Sequence, residues 1–587
     1  MNMQYGKMIA LAAACVLAAG GAQGQNRLSG EVEVTRDYEP AVVNARKLTV
    51  RPSMTDTVSL RPSIDYSIRS TVWNTEFETQ PFAAAALSTA VYRRERPFYL
   101  KAGAGMPLQS EADLYLSTVG GKRGAAGLYL NHAGSYAKIK DDADIKRNAL
   151  TMENVLGAFG RRRFAAGALR DIVLEAELTG ENRMYDRYGA ADYRMETLPD
   201  IASVRECYNS VTGRGILGND FSDLSFFNIQ LGGEGSYFHG KGGYKQAEVD
   251  VYLKMGKNFG RHRVTLQGGY ASRWAGGGGP FARYYDDHVK ISPRYSLLGG
   301  KIRLTVGLDA DLQKSDFVYY GHPGDKDTWL FPYADIVFGA VDRAFIPFVR
   351  IDGGLSDGSY AALSRINPYV ERGLVAPDRA EYNLRGGVMG STSTAFHYTL
   401  YAGVSHWENN AFLTTVYYMP YGNGLSTFGV LLDDCMVFTV GGNIEARPAP
   451  SVELNAAVQW HSYEAKNLSD ASGLPALEAS LAVRFRVGER LSFKVGGELT
   501  GPRKFLETEG ILGLPTVLNA DVQEGYLDYW TNKVSTVVNV TLDAEYRLND
   551  KMMVYLSGRN LAGCKLYPYN HYRGYGVNAL AGIKLVF

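Results

Sequence analysis

Along most of this chain, apolar and polar side chains alternate at every second position. Between residues 247 and 255 one face carries only apolar residues, and the other carries Glu248, Asp250, Tyr252 and Lys254. A period of two is the spacing of a β-strand whose two faces meet different surroundings. The alternating stretches run for about 9–11 residues or more, the length that a tilted strand needs to cross a bilayer. The sequence therefore predicts strands with one lipid-facing side and one wet side.

The same division recurs later in the chain. Residues 452–461 and 538–548 each place acidic, amide or basic side chains opposite an apolar face. A soluble antiparallel sheet with one wet face would alternate in the same way. Repetition of the pattern from residue 97 onward favours a closed membrane barrel, whose polar faces line the lumen. The predicted lumen-lining residues are Glu248, Asp250, Lys254, Glu453, Asn455, Asp543, Glu545 and Arg547.

The first residues have the features of a cleaved export signal. Lys7 gives a positive start, residues 8–19 form a short apolar run, and Ala22-Gln23-Gly24 offers small residues to a signal peptidase. We therefore expect a signal peptide at residues 1–24. No later apolar stretch reaches the roughly 20 residues that a membrane helix requires. Once exported, such a chain is a soluble periplasmic protein, a secreted protein or an outer-membrane barrel.

Residues 25–95 differ from the rest of the chain. Four prolines interrupt any regular element there, namely Pro40, Pro52, Pro62 and Pro81. We expect an extended segment that starts in the periplasm and either enters the lumen or docks on a partner. The barrel is expected at residues 96–587, with its first strand at Pro97–Met106. The predicted fold class is thus all-β, a large transmembrane antiparallel β-barrel of about 20–22 strands with a short extended N-terminal periplasmic segment.

Two kinds of connection join the alternating stretches. Short turns such as Gly488-Glu489-Arg490 resemble the periplasmic turns of bacterial barrels. Longer irregular connections are predicted at Gly180–Asp220, Trp274–Asp287, Lys314–Asp327, Asp357–Ala376 and Gly501–Asn532. Because bacterial barrels carry their long loops on the outer side, we expect these connections to face outside the cell.

Neither catalysis nor a resident cofactor or metal is expected. The sequence has no nucleophile elbow, phosphate-binding loop or His-Glu-x-x-His motif, and Cys207, Cys435 and Cys564 lack zinc-ligand spacing. The tripeptide Asp286-Asp287-His288 comes nearest to an acid–histidine pair, but we expect it to be a solvated loop rim. A formal net charge of +1 leaves no basic excess for phosphates, so nucleic acid is not an expected partner.

The last residues share one apolar face. Ile583, Leu585 and Phe587 alternate with polar or small positions and end on an aromatic residue. This pattern resembles the C-terminal strand of outer-membrane proteins that the barrel assembly machinery recognises. The resemblance implies that these three residues form the assembly signal.

The hairpin before that strand resembles the last hairpin of TonB-dependent receptors of the Bacteroidetes type. The similarity rests on Arg559-Asn560-Leu561, Lys565-Leu566-Tyr567 and Gly574-Tyr575-Gly576. Glu31-Val32-Glu33-Val34-Thr35 also resembles the energy-coupling box of that family. The family carries a folded plug domain before the barrel, however, and roughly 70 proline-interrupted residues are too few for a complete one. The resemblance therefore implies a relative that lacks a complete plug.

The sequence is compatible with two functions. The first is an outer-membrane transporter or porin-like channel that passes solutes through a polar lumen. The alternative is a non-transporting barrel subunit of an envelope assembly or export complex. The expected partners are outer-membrane lipid, the barrel assembly machinery, and other envelope proteins or lipoproteins bound through residues 25–95 and the long extracellular loops.

Overall fold

The described part of the chain begins just before the first predicted barrel strand. The computed structural model describes residues 96–587, except for gaps at 119–123, 141–144, 165–171, 190–203, 220, 222–223, 278–282, 316–317, 320–321, 324–327, 340–343, 418–424, 510–516 and 520–528. The predicted signal peptide at residues 1–24 and the predicted N-terminal segment at residues 25–95 lie outside the described residues.

Within the described residues, 22 antiparallel strands form one closed barrel. This number confirms the upper end of the predicted range. The barrel strands, in chain order, are β1 (Phe98–Met106), β2 (Gln109–Ser117), β3 (Gly124–Ser135), β6 (Thr151–Arg163), β7 (Val173–Arg187), β8 (Val204–Gly218), β9 (Asn228–Gly240), β10 (Lys245–Phe259), β11 (His262–Gly276), β12 (Tyr284–Leu297), β13 (Ile302–Ser315), β16 (Thr328–Phe338), β17 (Ile346–Ser356), β18 (Arg379–Ser393), β19 (Phe396–Tyr417), β20 (Thr427–Ala449), β21 (Val452–Ala465), β22 (Leu477–Val487), β23 (Leu491–Thr500), β27 (Val537–Arg547), β28 (Met552–Arg559) and β29 (Asn578–Val586).

Seven shorter strands and one helix lie in the connections. The strands are β4 (Lys138–Lys140), β5 (Lys146–Asn148), β14 (Val318–Tyr319), β15 (His322–Pro323), β24 (Arg503–Glu509), β25 (Val517–Asn519) and β26 (Tyr529–Val534). The helix, α1, spans Tyr360–Ile366 between β17 and β18. In the part of the chain that the structure describes, no helix is both long and apolar enough to cross a membrane.

The last strand closes the barrel against the first. β29 pairs antiparallel with β1 from Tyr99, opposite Val586, to Met106, opposite Ala579. At the end of this seam the backbone N–H of Phe587 donates to the carbonyl of Phe98 at 3.0 Å, and the two rings meet edge to face. The strand that carries the predicted assembly signal is therefore the strand that removes the last sheet edge.

The two faces of the wall differ as the alternation predicts. On the outer face, Leu128, Leu156 and Leu178 are 55%, 61% and 57% exposed, as lipid-facing side chains are when only water surrounds the protein. The opposite face carries cross-strand ion pairs around the barrel. They are Lys101–Glu111, Arg161–Glu175, Arg294–Asp309, Arg350–Asp335, Arg385–Asp352, Arg486–Glu453, Arg559–Asp543 and Lys584–Glu545.

One predicted loop is partly strand. β7 continues through Arg187 and β8 begins at Val204, so much of Gly180–Asp220 belongs to the barrel wall. On the outer face of β8, Asn209, Gly213 and Gly215 interrupt a column whose only large apolar residues are Val211 and Leu217. This interruption hid the period of two, although the backbone pairing is regular.

The assignment of faces predicts opposite effects for two neighbouring residues of β6. We expect Leu156→Lys to lower the free energy of unfolding by about 2–4 kcal/mol, because a charge replaces a lipid-facing side chain near the middle of the wall. Val155→Lys places the same charge on the lumen face, where the cost should be small. Urea titrations in lipid vesicles, followed by tryptophan fluorescence, measure both. Equal destabilisation by the two variants would contradict the assignment.

Candidate functional site

The predicted lumen-lining residues lie on three separate parts of the wall. Glu248, Asp250 and Lys254 are on β10, Glu453 and Asn455 on β21, and the remaining three, Asp543, Glu545 and Arg547, on β27. All share the face opposite the exposed apolar side chains. The structure does not bring them together into one binding site, and a role in lining a solute path stays a prediction.

Several of these side chains belong to ion pairs or to a shallow depression. A guanidinium nitrogen of Arg486 lies 2.9 Å from Glu453, and one of Arg559 lies 2.9 Å from Asp543. Glu545 pairs with Lys584. Asn455 lines a depression of about 390 Å³ on the inner wall, together with Lys494 and Glu498. Opposite charges therefore neutralise one another along much of this polar wall.

A more organised site lies at the rim that carries the longer connections, which faces outside the cell in bacterial barrels. We call residues 357–378, the connection between β17 and β18, the mouth segment. It contains α1, whose N-cap Ser359 accepts a hydrogen bond from the backbone of Ala362. Asp357 accepts hydrogen bonds from the backbone N–H and the hydroxyl of Ser359, so the cap is fixed in turn. Sequence analysis predicted an irregular loop here, and the structure shows an ordered, largely buried element.

The centre of the mouth segment is held from both sides of the barrel. Arg187, at the end of β7, donates to the carbonyls of Tyr369 at 3.0 Å and Val370 at 2.6 Å. The same guanidinium donates to the hydroxyl of Thr427, the first residue of β20, at 2.7 Å. In the ring of 22 strands β7 is fifth and β20 sixteenth, so the two strands lie opposite each other. The mouth segment therefore spans the barrel opening.

A buried carboxylate strengthens this central anchor. Glu206 of β8 is only 1% exposed and accepts hydrogen bonds from Arg372 of the mouth segment, at 2.5 Å and 3.0 Å. The Nε atom of Arg187 lies 3.3 Å from the same carboxylate. Because Glu206 lies between two guanidinium groups, its burial is compensated by charge-assisted hydrogen bonds.

Both ends of the mouth segment are held by a single arginine on β11. The Nη1 atom of Arg273 lies 3.2 Å from Asp357 at the start of the segment and 3.3 Å from Asp378 at its end. It also lies 3.3 Å from Asp286 of β12, which ties the cluster to the wall. Arg273, Asp286 and Asp378 are all at least nine-tenths buried.

The structure contradicts the prediction that Asp286-Asp287-His288 forms a solvated loop rim. Asp286 and His288 are buried at 3% and 4% exposure and do not form a solvated rim. The two ring nitrogens of His288 each lie 2.9 Å from a carboxylate oxygen, of Asp286 and of Asp311, an arrangement that fits the doubly protonated imidazolium. Asp287 points to the opposite face, where Tyr270 donates to it. The prediction was wrong because the mouth segment covers these residues, and no local sequence pattern indicates that contact.

Asp286, His288 and Asp378 also have the composition of a metal site. Their potential ligand atoms lie within 4.8 Å of one another. The guanidinium of Arg273 lies among them and contacts both aspartates. Arg273 and His288 thus supply the positive charge that the carboxylates need, and the geometry is that of an ion-pair network.

Aromatic side chains pack around these anchors. The rings of Tyr369 and Tyr572 stack with centroids 3.6 Å apart, and the hydroxyls of Tyr208 and Tyr360 lie 2.7 Å apart. Burial raises the pKa of Tyr360, Tyr369 and Tyr572 above its usual value, so their hydroxyls stay protonated and available as donors. The remaining aromatic members of this cluster include Tyr185, Tyr188, Phe238, Tyr244, Tyr284 and Phe428.

A second buried carboxylate ties the C-terminal loop, residues 560–577, to the outer ends of the long strands. Glu507 of β24 is 1% exposed and accepts hydrogen bonds from Asn570 at 2.6 Å, His571 at 2.8 Å and Trp530 at 2.6 Å. Burial alone would raise the pKa of Glu507. The three donors, His571 foremost, outweigh burial and hold the pKa below its usual range.

Sequence reasoning did not find the residues of the mouth. Arg187 and Val370 are 183 positions apart, and Glu206 and Arg372 are 166 apart. Each side chain, seen locally, resembles any other loop or rim charge. The signal available in the sequence is the high tyrosine count of 39, which does not say where the tyrosines cluster.

Comparisons with known proteins agree on the fold. No family model and no curated protein sequence matches this chain. The chain is similar in structure to the ferric-catecholate import receptor Fiu from E. coli K12, with a TM-score of 0.58 and 10% identity over 84% of this chain and 82% of that chain. The siderophore receptor PirA from Acinetobacter baumannii gives 0.59 and 8%, over 84% and 80%. The pyoverdine outer membrane receptor FpvA from Pseudomonas aeruginosa PAO1 gives 0.58 and 12%, over 84% and 79%.

At such low identity the likeness establishes the architecture. The protein has the fold of a large outer-membrane barrel, and its apolar outer surface places it in the outer membrane. The matched structures are described as receptors.

Glu507 predicts an acid-sensitive attachment of the C-terminal loop. Because its folded-state pKa is depressed, the carboxylate contributes stability that is fully present above the unfolded pKa of about 4.5 and is lost as pH falls through the folded pKa. The protection factors for hydrogen exchange at residues 560–577, which correct for the pH dependence of the intrinsic rate, should therefore fall below about pH 4.5. Glu507→Gln should lower these protection factors already at neutral pH and remove the acid step.

Asp470 provides a matched control for this prediction. It pairs with Lys504, a half-exposed side chain, at 2.6 Å in the same extracellular region. Asp470→Asn should change exchange in the C-terminal loop little, since partly exposed pairs contribute little. An unchanged acid step in Glu507→Gln would show that another group controls the loop.

Proposed function

We propose that this protein is an outer-membrane transporter that takes up a particular class of solute through its lumen. The observation that carries the proposal is the mouth segment, which spans the opening of a wide, polar barrel. A general porin needs a permanent opening, whereas a selective transporter needs a wide lumen that is closed at rest. Barrels of 16–18 strands form open porins, and barrels of 22 strands are typical of transporters with an obstructed lumen.

The fold relatives support the same class of function. Fiu is described as an import receptor for ferric catecholates, PirA as a siderophore receptor and FpvA as a receptor for pyoverdine. By analogy we propose that this chain imports a solute too large for general porins. Dependence on TonB is part of the proposal and rests on the resemblance of the last hairpin and of residues 31–35 to that family.

The alternative is a barrel that does not transport and serves as a subunit of an envelope complex. The long hairpin formed by β19 and β20 favours it, because these strands of 22 and 23 residues rise above the rest of the wall and could present a surface to a partner. In that case the closed mouth would be permanent.

A permeability test separates these functions. Whole cells that carry the wild-type protein should exclude bulky hydrophilic antibiotics. Replacement of residues 360–376 by a short Gly-Ser linker, combined with removal of residues 25–95, should sensitise the cells at least tenfold in inhibitory concentration, because neither segment is then present to obstruct the lumen. The same replacement without removal of residues 25–95 reports whether the N-terminal segment also blocks the lumen.

Two results would contradict transport. Sensitivity of wild-type cells would indicate an open porin. Continued resistance of cells with the doubly altered, correctly inserted barrel, together with stoichiometric co-purification of other envelope proteins by the wild type, would favour the assembly subunit.

A further inference from the structure

The way in which the mouth segment is attached suggests how it opens. Its central anchor, formed by Arg187, Glu206 and Arg372, lies on the β7–β8 side of the opening. Its two ends meet at Arg273 on β11. On the far side the segment pairs directly with β20, where Thr427 donates to the carbonyl of Tyr369 at 2.9 Å and the backbone N–H of Glu371 donates to the carbonyl of Phe428 at 2.9 Å. The 22-residue segment is thus held at three places around the opening.

Arg273 is the only described cation that contacts both ends of the segment within 4 Å, and it contacts them through the same nitrogen atom. The groups that face it come from four elements. Arg273 is faced directly by Glu248 on β10, Asp286 on β12, and Asp357 and Asp378 at the segment ends. His288 on β12 contacts Asp286 and, on its other side, Asp311 on β13. Carboxylates outnumber cations in this cluster. Loss of Arg273 would leave Asp286, Asp357 and Asp378 to repel one another across the same small space.

We propose that the mouth segment is a gate and that Arg273 is the latch that holds its two hinge ends closed. Release of one guanidinium removes the cation that both ends share. The ends stay joined to each other by hydrogen bonds from the Gly358 N–H to Asp378 and from the Ala376 N–H to the Gly358 carbonyl, so the segment lifts as a unit about Asp357 and Asp378. The Arg187–Glu206–Arg372 anchor and the hydrogen bonds to β20 are the further contacts that must break. This inference deepens the proposed function, since a gate matters for a lumen that passes solute, but its test is independent of transport.

Burial of the gate can be measured with a thiol. Leu374 lies in the mouth segment and is 0% exposed, whereas Ile366 in the same segment is 62% exposed. Native Cys207, Cys435 and Cys564 are replaced by serine in the full-length purified protein, and Leu374→Cys or Ile366→Cys is introduced. The measured quantity is the rate of reaction with a bulky maleimide. In the otherwise unchanged protein the thiol at position 374 should react at least a hundredfold more slowly than the thiol at position 366.

Removal of the latch should expose the buried thiol. R273A should accelerate labelling at position 374 at least tenfold, and R187A should act in the same direction. R273K retains the charge but cannot reproduce the contacts of a planar guanidinium with three carboxylates, so an intermediate rate is expected. The matched control is R294A, which breaks the lumen-face ion pair between Arg294 of β12 and Asp309 of β13. This pair does not touch the mouth segment, so R294A should leave the rate unchanged.

The folded state of each variant is checked by its heat-modifiable migration in gels. Unchanged labelling at position 374 in folded R273A and R187A would overturn the proposal and make the mouth segment a fixed part of the wall. Rapid labelling in the protein with both arginines would overturn it as well, because the gate would then stand open. A moving gate in a barrel that never admits bulky solutes would leave this inference intact and refute only the transport function.

Discussion

The constraint on which this structure depends is that lipid offers no hydrogen bonds to the backbone. Every N–H and C=O in the membrane must therefore find a partner within the protein, and a sheet meets this demand only when it has no edges. The pairing of β29 with β1 satisfies it, and the chain is arranged accordingly, with the two strands of the seam at opposite ends of the barrel domain. Closure in turn creates an enclosed face, which explains why the polar half of each alternating strand carries ion pairs instead of apolar packing.

Outside the membrane the same demand is met differently. The seam strands β28, β29, β1 and β2 have only 8 or 9 residues, whereas β19 and β20 have 22 and 23 and extend past their neighbours. Their free edges are covered by β24, which pairs with β19, and by β25, which pairs with β20. Exposed edges of this length would invite pairing with other chains. The connection between β23 and β27 thus protects the tall hairpin and also brings Glu507 to the C-terminal loop.

The sequence predicted the fold well and the site poorly, for a physical reason. The lipid-facing positions follow a local rule, in which apolar residues recur at every second position. Val249, Val251 and Leu253 therefore predict a membrane strand even when the neighbouring strands are not known. The rule failed at β8 because Asn209, Gly213 and Gly215 interrupt the apolar column on its outer face. The mouth obeys no local rule. Arg187 acquires its role from Tyr369 and Val370, which only the closed barrel brings near. Asp286 and His288 are buried because a segment about 70–90 residues later in the chain covers them. Predicting such contacts requires the strand order and the position of each strand in the ring, which periodicity alone does not provide.

The mouth of the barrel is closed by buried charged groups as well as by apolar packing, although apolar packing is the simplest way to close an opening. Apolar packing of the aromatic cluster alone would seal the barrel, and replacement of buried ion pairs by well-packed apolar residues is often neutral or stabilising. This protein instead combines tyrosine packing with charges that lose hydration on burial and regain it when they separate. Ion pairs have a strict geometry, so they hold one closed position, and their charged groups remain soluble once water enters. An apolar seal has neither property, since exposed aromatic surface would favour collapse onto any nearby patch. The anchors at Arg187 and Arg273 are therefore better suited to a closure that must be reversible than to one that is permanent.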